Sequence, residues 1–246
     1  VKGGGFFFFF PDRGEYGGII DIKIMQIGVK AIGLLATKNP GGWSLLLIIV
    51  AQLPPIQLGF GFTLTGLGGL LGVQHTINRD ALSAGLSTGS LDSFLFPQNP
   101  IANAPQIISQ LRVIFPFKAG GFIIGPMLEL GWGTPSLVTA RLGLLIEPTQ
   151  LVFVGQIIVQ LPPLIDKDLA LLYLQVDFAG GVVFNPLEIW FDGVLRDSRV
   201  LFINLSGQFA FRASFGDKPS FLISAGGFHP RFTDLPPGLP SPFQRI

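Results

Sequence analysis

Residues 201–215 read Leu201-Phe202-Ile203-Asn204-Leu205-Ser206-Gly207-Gln208-Phe209-Ala210-Phe211-Arg212-Ala213-Ser214-Phe215, and this stretch decides the fold class. Leu201, Ile203, Leu205, Gly207, Phe209, Phe211, Ala213 and Phe215 hold the odd positions. Phe202, Asn204, Ser206, Gln208, Ala210, Arg212 and Ser214 lie between them. A period of two is the spacing of a β-strand, whose successive side chains leave opposite faces. One apolar and one polar face suit an antiparallel sheet that is wet on one side. The preceding stretch repeats the pattern: Leu187, Ile189, Phe191, Gly193 and Leu195 alternate with Glu188 and Asp192, and Arg196 follows.

Similar strands are expected at about 18–37, 43–53, 56–66, 121–131, 136–147, 151–161, 169–178 and 219–228. Turn chemistry separates them at Asn39-Pro40-Gly41-Gly42, Glu147-Pro148-Thr149, Gly180-Gly181, Asn185-Pro186, Arg196-Asp197-Ser198 and Gly216-Asp217-Lys218-Pro219. Connections this short make a meander the default, because parallel crossovers need a dozen or more residues. The apolar spacing loosens to three or four between Asn78 and Phe115. Asp80–Leu86 predicts a short helix and Ser90–Leu95 a single turn or a second short helix. A third helix starts at Asn103, with Asn103 as N-cap and Pro105 in the first turn, and Pro116 stops it. The expected fold is therefore mainly β: an extended, curved antiparallel meander with a short helical insert. The chain divides into a β block 1–77, the insert 78–115, a β block 116–235 and a Pro-rich tail 236–246. All of it reads as a single β-rich fragment of a larger protein.

The composition narrows the function classes. Of 246 residues 48% are apolar and only 13% charged, against about 25% in ordinary globular proteins. Phe (24) far outnumbers Tyr (2). That is more apolar surface than one core needs, so part of it is expected to meet a partner, a lipid or the rest of the chain. The net charge is +1 and the basic residues are scattered, which argues against nucleic acid. Without cysteine there is no disulfide framework and no thiolate metal site. Val1-Lys2-Gly3-Gly4-Gly5 leading into Phe6–Phe10 reads as the middle of a strand rather than a signal peptide. The longest apolar run, Leu45–Ala51, is far below the roughly 20 residues of a transmembrane helix. The sequence fixes no compartment.

Candidate chemistry is sparse. The glycine-rich stretch 59–72 lacks both the dinucleotide spacing, since Leu71 stands where glycine is needed, and the Lys-Ser/Thr of a P-loop. Strand glycines at bulges and close backbone approaches explain it better. His75 and His229 lack metal-ligand spacing and a neighbouring nucleophile. Glu188 and Asp192 share the polar face of one strand and are the best carboxylate candidates for a hydrolase; Asp166 and Asp168 flank Lys167 in a solvated corner. No catalytic, metal or cofactor residue is assigned. Gln52-Leu53-Pro54-Pro55 is echoed by Gln160-Leu161-Pro162-Pro163 and is read as recurrent strand-end chemistry.

Four motifs in fixed order carry a resemblance: Leu58–Gly72, Leu91-Asp92-Ser93-Phe94-Leu95-Phe96-Pro97, Gly131-Trp132-Gly133-Thr134-Pro135, and Gly226-Gly227-Phe228-His229-Pro230-Arg231-Phe232. Over about residues 53–240 the chain resembles a family of very large bacterial proteins catalogued only as a domain of unknown function. The resemblance implies a bacterial source and a longer parent chain, and carries over no catalytic residue.

The leading expectation is a non-catalytic structural or binding segment. Its sheet would present an apolar face to acyl chains or to a docking partner, with the insert covering part of it. Phe191, Leu201, Ile203, Leu205, Phe209, Phe211, Phe221 and Ile223 are the apolar-face candidates. The alternative is a transmembrane β-barrel-like segment, whose strands also alternate but turn their apolar side outward. A carboxylate-dependent hydrolase on a β scaffold comes third.

Overall fold

The computed structural model describes residues 2–216 and 218–226. Twelve strands form one antiparallel sheet in chain order: β1 Lys2–Phe10, β2 Glu15–Ile24, β3 Ile27–Asn39, β4 Gly42–Gly59, β5 Phe62–His75, β6 Phe117–Trp132, β7 Val138–Glu147, β8 Gln150–Leu161, β9 Leu172–Phe184, β10 Leu187–Val200, β11 Ile203–Ser214 and β12 Ser220–Ala225. Among the described residues the sheet is open, with β1 and β12 as its edges. Between β5 and β6 lie α1 (Arg79–Leu86), a single 3-10 turn (Ser90–Ser93) and α2 (Ala104–Ile114). The meander and the insert stand as the sequence predicts. The Pro-rich tail 236–246, His229 and the end of the second β block lie outside the described residues.

Several local expectations are corrected. The stretch 18–37 belongs to two strands, joined at Met25-Gln26, where Met25 has φ 56°. The stretch 56–66 is cut by Phe60-Gly61, with Phe60 at φ 51°. Gly180-Gly181 is no turn but lies inside β9; a Cβ on Gly181 would sit 2.5 Å from the Leu151 carbonyl oxygen. Arg196-Asp197-Ser198 is a bulge that β10 passes through, not its end. The two Pro-Pro echoes diverge as well: β4 continues past Pro54-Pro55 with a register shift, whereas β8 stops at Leu161. Asn78 rather than Asn103 caps a helix with its side chain, accepting from the Ala81 N–H at 3.1 Å.

Strand register assigns every side chain to a face. The Glu129↔Arg141↔Gln156↔Asp177 rung and the Asp192↔Ala210 pair stand on the side of the insert, here the inner face. Phe191↔Phe211 and their counterparts stand on the outer face. The core lies on the inner face, where Ile19, Ile48, Leu70, Ile123, Val154 and Trp190 pack with Leu82, Phe94, Leu111 and Phe115 of the insert. Gly66 faces inward because a Cβ there would meet the buried Phe96 ring at 2.6 Å. The glycine-rich β5 is thus a seat for the insert, as the strand-glycine reading holds.

The insert also reveals the curvature. From α2, Arg112 pairs with Glu15 of β2 at 2.8 Å and sits over the Phe8 ring of β1. From α1, Arg79 pairs with Glu188 of β10 at 3.1 Å, and Ser83 donates to Asp192 at 2.6 Å. In a flat sheet β2 and β10 would be roughly 38 Å apart, at about 4.8 Å per strand. Yet the Asn78 N–H donates to the Ile114 carbonyl at 2.8 Å, so Arg79 and Arg112 leave neighbouring backbone, and two arginine side chains cannot bridge that distance. The sheet therefore curls around the insert, with its inner face concave and its outer face convex.

Candidate functional site

The outer face is the unusual surface. At regularly paired positions across all twelve strands it carries no charged side chain, and its only polar residues are Tyr16 and Ser198. Every paired charge, from Lys2 and Lys23 to Asp192 and Arg212, falls on the inner side. Lys38, Lys118 and Asp197 sit at register irregularities. Large side chains such as Phe7, Ile49, Leu67, Ile124, Phe153 and Ile189 are consequently exposed. At the β1 edge Phe7, Phe9, Tyr16, Ile20, Leu35 and Leu47 frame an open apolar hollow of about 570 Å³.

All eight sequence candidates map here or at its rim. Phe191, Leu205, Phe209, Phe211, Ile203, Phe221 and Ile223 stand on the outer face, and Leu201 occupies the β10–β11 turn. Phe178, Phe191 and Phe209 form a cross-strand aromatic row with centroids 5.8 and 5.9 Å apart. One expectation fails: the insert does not cover this face. It covers the polar one, and the apolar face is bare. Alternation shows which residues share a face but carries no information about which face an insert elsewhere in the chain will occupy.

The inner face accommodates its polar residues by pairing them. Glu129 accepts from Thr65 (3.0 Å) and Arg141 (2.7 Å), and Arg141 donates onward to Gln156 (2.8 Å). Gln156 donates to Asp92 and Asp177, while Arg196 bridges the same two carboxylates at 2.9 and 2.7 Å. Gln175 donates to Asp177 and accepts from Tyr173. Burial pushes the Asp177 carboxyl above the ordinary carboxylate range although Arg196 pulls it down, so desolvation outweighs the ion pair. Lys30 donates to the Pro97 carbonyl at 2.8 Å, and burial lowers its pKa against the pull of Asp21. A polar hollow of about 450 Å³ opens beside this network, lined by Asp92, Gln106, Arg141, Tyr173 and Arg196. Its charged groups are engaged with one another.

The other chemical candidates are similarly occupied. Asp192 is fully buried between Arg212 (2.6 Å) and Ser83, and Glu188 is held by Arg79. Both do share one face, as the sequence indicates. Among the described residues no group of three or more His, Asp or Glu is placed to hold a metal ion. No described helix is long and apolar enough to cross a membrane, which leaves strands unaddressed.

His75 contacts the Phe115 carbonyl through Nδ1 at 2.7 Å, and burial lowers its pKa below 6.5. The neutral form is therefore the one the fold holds, with Nδ1–H donating. As pH falls below about 6.5 the unfolded chain takes up this proton first, so stability should decline over that window. His75→Asn, whose amide N–H can reach the same carbonyl, should flatten that part of the curve. Urea melts at stepped pH, taken as the difference between the two proteins, measure it; an unchanged slope would contradict the assignment.

Fold and site together define a class: an open, curled antiparallel meander, filled on its concave side by a helical insert and free of charge at the paired positions of its convex side. Residues 1–246 match a family model described as a family of unknown function, DUF6603, and the chain belongs to that family. The match includes the segment before residue 53, where the motif-based resemblance stopped. No curated protein and no solved structure matches.

Proposed function

We propose that the chain is a non-catalytic, lipid-contacting segment of a longer bacterial protein, whose convex outer face lies against acyl chains. The observation that carries this is the absence of charge from the paired outer positions of twelve consecutive strands. Water-facing sheets carry polar side chains on their wet side; this sheet turns all of its paired charges to the side of the insert. Hydrocarbon is the medium that such a face suits, and a soluble partner would ordinarily be met by an apolar centre inside a polar rim.

The wall of a transmembrane β-barrel is the second reading, favoured by the same apolar exterior and polar interior. The open edges at β1 and β12 weigh against it, because unpaired backbone groups are costly in hydrocarbon. Flotation with zwitterionic phosphatidylcholine vesicles, without detergent, tests the leading reading. The protein should rise with the vesicles at low and high salt alike. Retention at the bottom of the gradient at every lipid concentration would overturn it.

A further inference from the structure

The two ends of the sheet are built differently. One end carries the β2–β3, β4–β5, β6–β7, β8–β9 and β10–β11 connections; the other carries the insert and the remaining turns. At the first end Met25, Phe60, Leu164 and Phe202 project into solvent, 90%, 98%, 85% and 88% exposed. The opposite turns consist of Pro11-Asp12-Arg13-Gly14, Pro40-Gly41, Pro148-Thr149, Asn185-Pro186 and the connection that begins at Phe215-Gly216, where Phe215 is the one large apolar residue among those described.

Backbone conformation sharpens the contrast. Met25, Phe60 and Leu164 have φ of 56°, 51° and 63°, and Leu201, just before Phe202, has 55°. Tight turns in this region favour Gly, Asn or Asp, and a bulky side chain there is strained. Local turn chemistry therefore selects against these residues, and packing does not explain them because they touch almost nothing. Local rules broken without a structural return mark functional positions.

We infer that this end of the sheet inserts into the hydrocarbon of a lipid bilayer, with Met25, Phe60, Leu164 and Phe202 as its anchors. The inference rests on the lipid-contact reading and adds an orientation to it: the apolar turns go deep and the Asp12-Arg13 end stays in water. Successive turns of this end lie two strands apart, about 10 Å. The anchors thus form a comb of separate tips, which a fluid acyl phase accommodates more readily than a folded protein surface. Asp166, Lys167 and Asp168 are the only charges in the five connections, and Lys167 pairs with Asp197. The cations of this end, Lys2 and Lys23 paired beside the Met25 turn together with Lys167 and Arg199, are spread across the sheet rather than gathered in a polybasic cluster, so the attraction is chiefly apolar.

The test uses the whole chain carrying Met25→Asn, Phe60→Asn and Leu164→Asn together. Asparagine relieves the left-handed strain, so the urea midpoint should hold or rise while affinity for phosphatidylcholine vesicles falls about a hundredfold or more. Phe215→Asn, at the opposite end, should leave binding unchanged. Equal vesicle affinity for wild type and triple variant would overturn the inference and leave the outer-face reading standing. Failure of the wild type to bind would overturn both. A lipid-independent dimer that the triple variant abolishes would assign the tips to a second copy of the chain and also overturn it.

Discussion

Asp177→Ala should lower the unfolding free energy by about 3–5 kcal/mol, the range for breaking a buried ion pair from one side. Asp177 is fully buried, and its carboxylate accepts from Arg196, Gln175 and Gln156. Truncation leaves Arg196 with the more exposed Asp92 and Asp197, at 2.9 and 3.6 Å, and strips a partner from two buried amides. Leucine at 177 combined with methionine at 196 should be far milder, because desolvation already outweighs the pairing. Urea denaturation of the three proteins reads the result. A single-variant cost below about 1 kcal/mol would mean that this network is not what ties β8, β9 and β10 to the insert.

The second large effect is on lipid affinity rather than folding. Leu67→Lys and Ile157→Lys each place a charge near the middle of a strand on the outer face, on side chains 48% and 37% exposed. In water the folded state should change little, since both positions already meet solvent. Against hydrocarbon a lysine costs about 2–4 kcal/mol at mid-depth, or roughly thirtyfold or more in partitioning. Each variant should therefore keep its urea midpoint to within a small shift while losing vesicle binding. Lysine variants that bind as tightly as wild type would remove the outer face from the account.

The strands were legible because period-two alternation is strong from Leu187 onward, and the insert because its spacing loosens. Two hairpins went unseen, at Met25-Gln26 and Phe60-Gly61, because large apolar residues occupy the left-handed positions where Gly, Asn or Asp would signal a turn. The same residues emerge as the proposed anchors, so the misreading and the inference have one cause. Gly180-Gly181 misled in the opposite direction: it resembles a turn, yet it serves the close approach of β8 and Trp190 to β9. Alternation grouped the apolar-face residues and the composition led to the expectation of an exposed apolar face, but which face the insert leaves open was not legible. Hydrophobic patterning pairs Phe191 with Phe211 on one side, but only the insert's contacts with Glu15, Glu188 and Asp192 show which side is enclosed. The inner network was invisible for the same reason, since Glu129, Arg141, Gln156 and Asp177 meet only through the register of four strands.

The chain supplies its own probes for the central claim, that acyl chains cover the convex face. Trp43 and Trp132 are half exposed on the outer side, and Trp190 is buried beneath the insert. Single-tryptophan variants, with phenylalanine at the other two positions, would be titrated with vesicles of bromine-labelled phosphatidylcholine. The account predicts strong quenching of Trp132, quenching of Trp43, and emission from Trp190 that stays close to its value in unlabelled vesicles. Trp43 and Trp132 both unquenched at saturating lipid, or Trp190 quenched as strongly as they are, would contradict it.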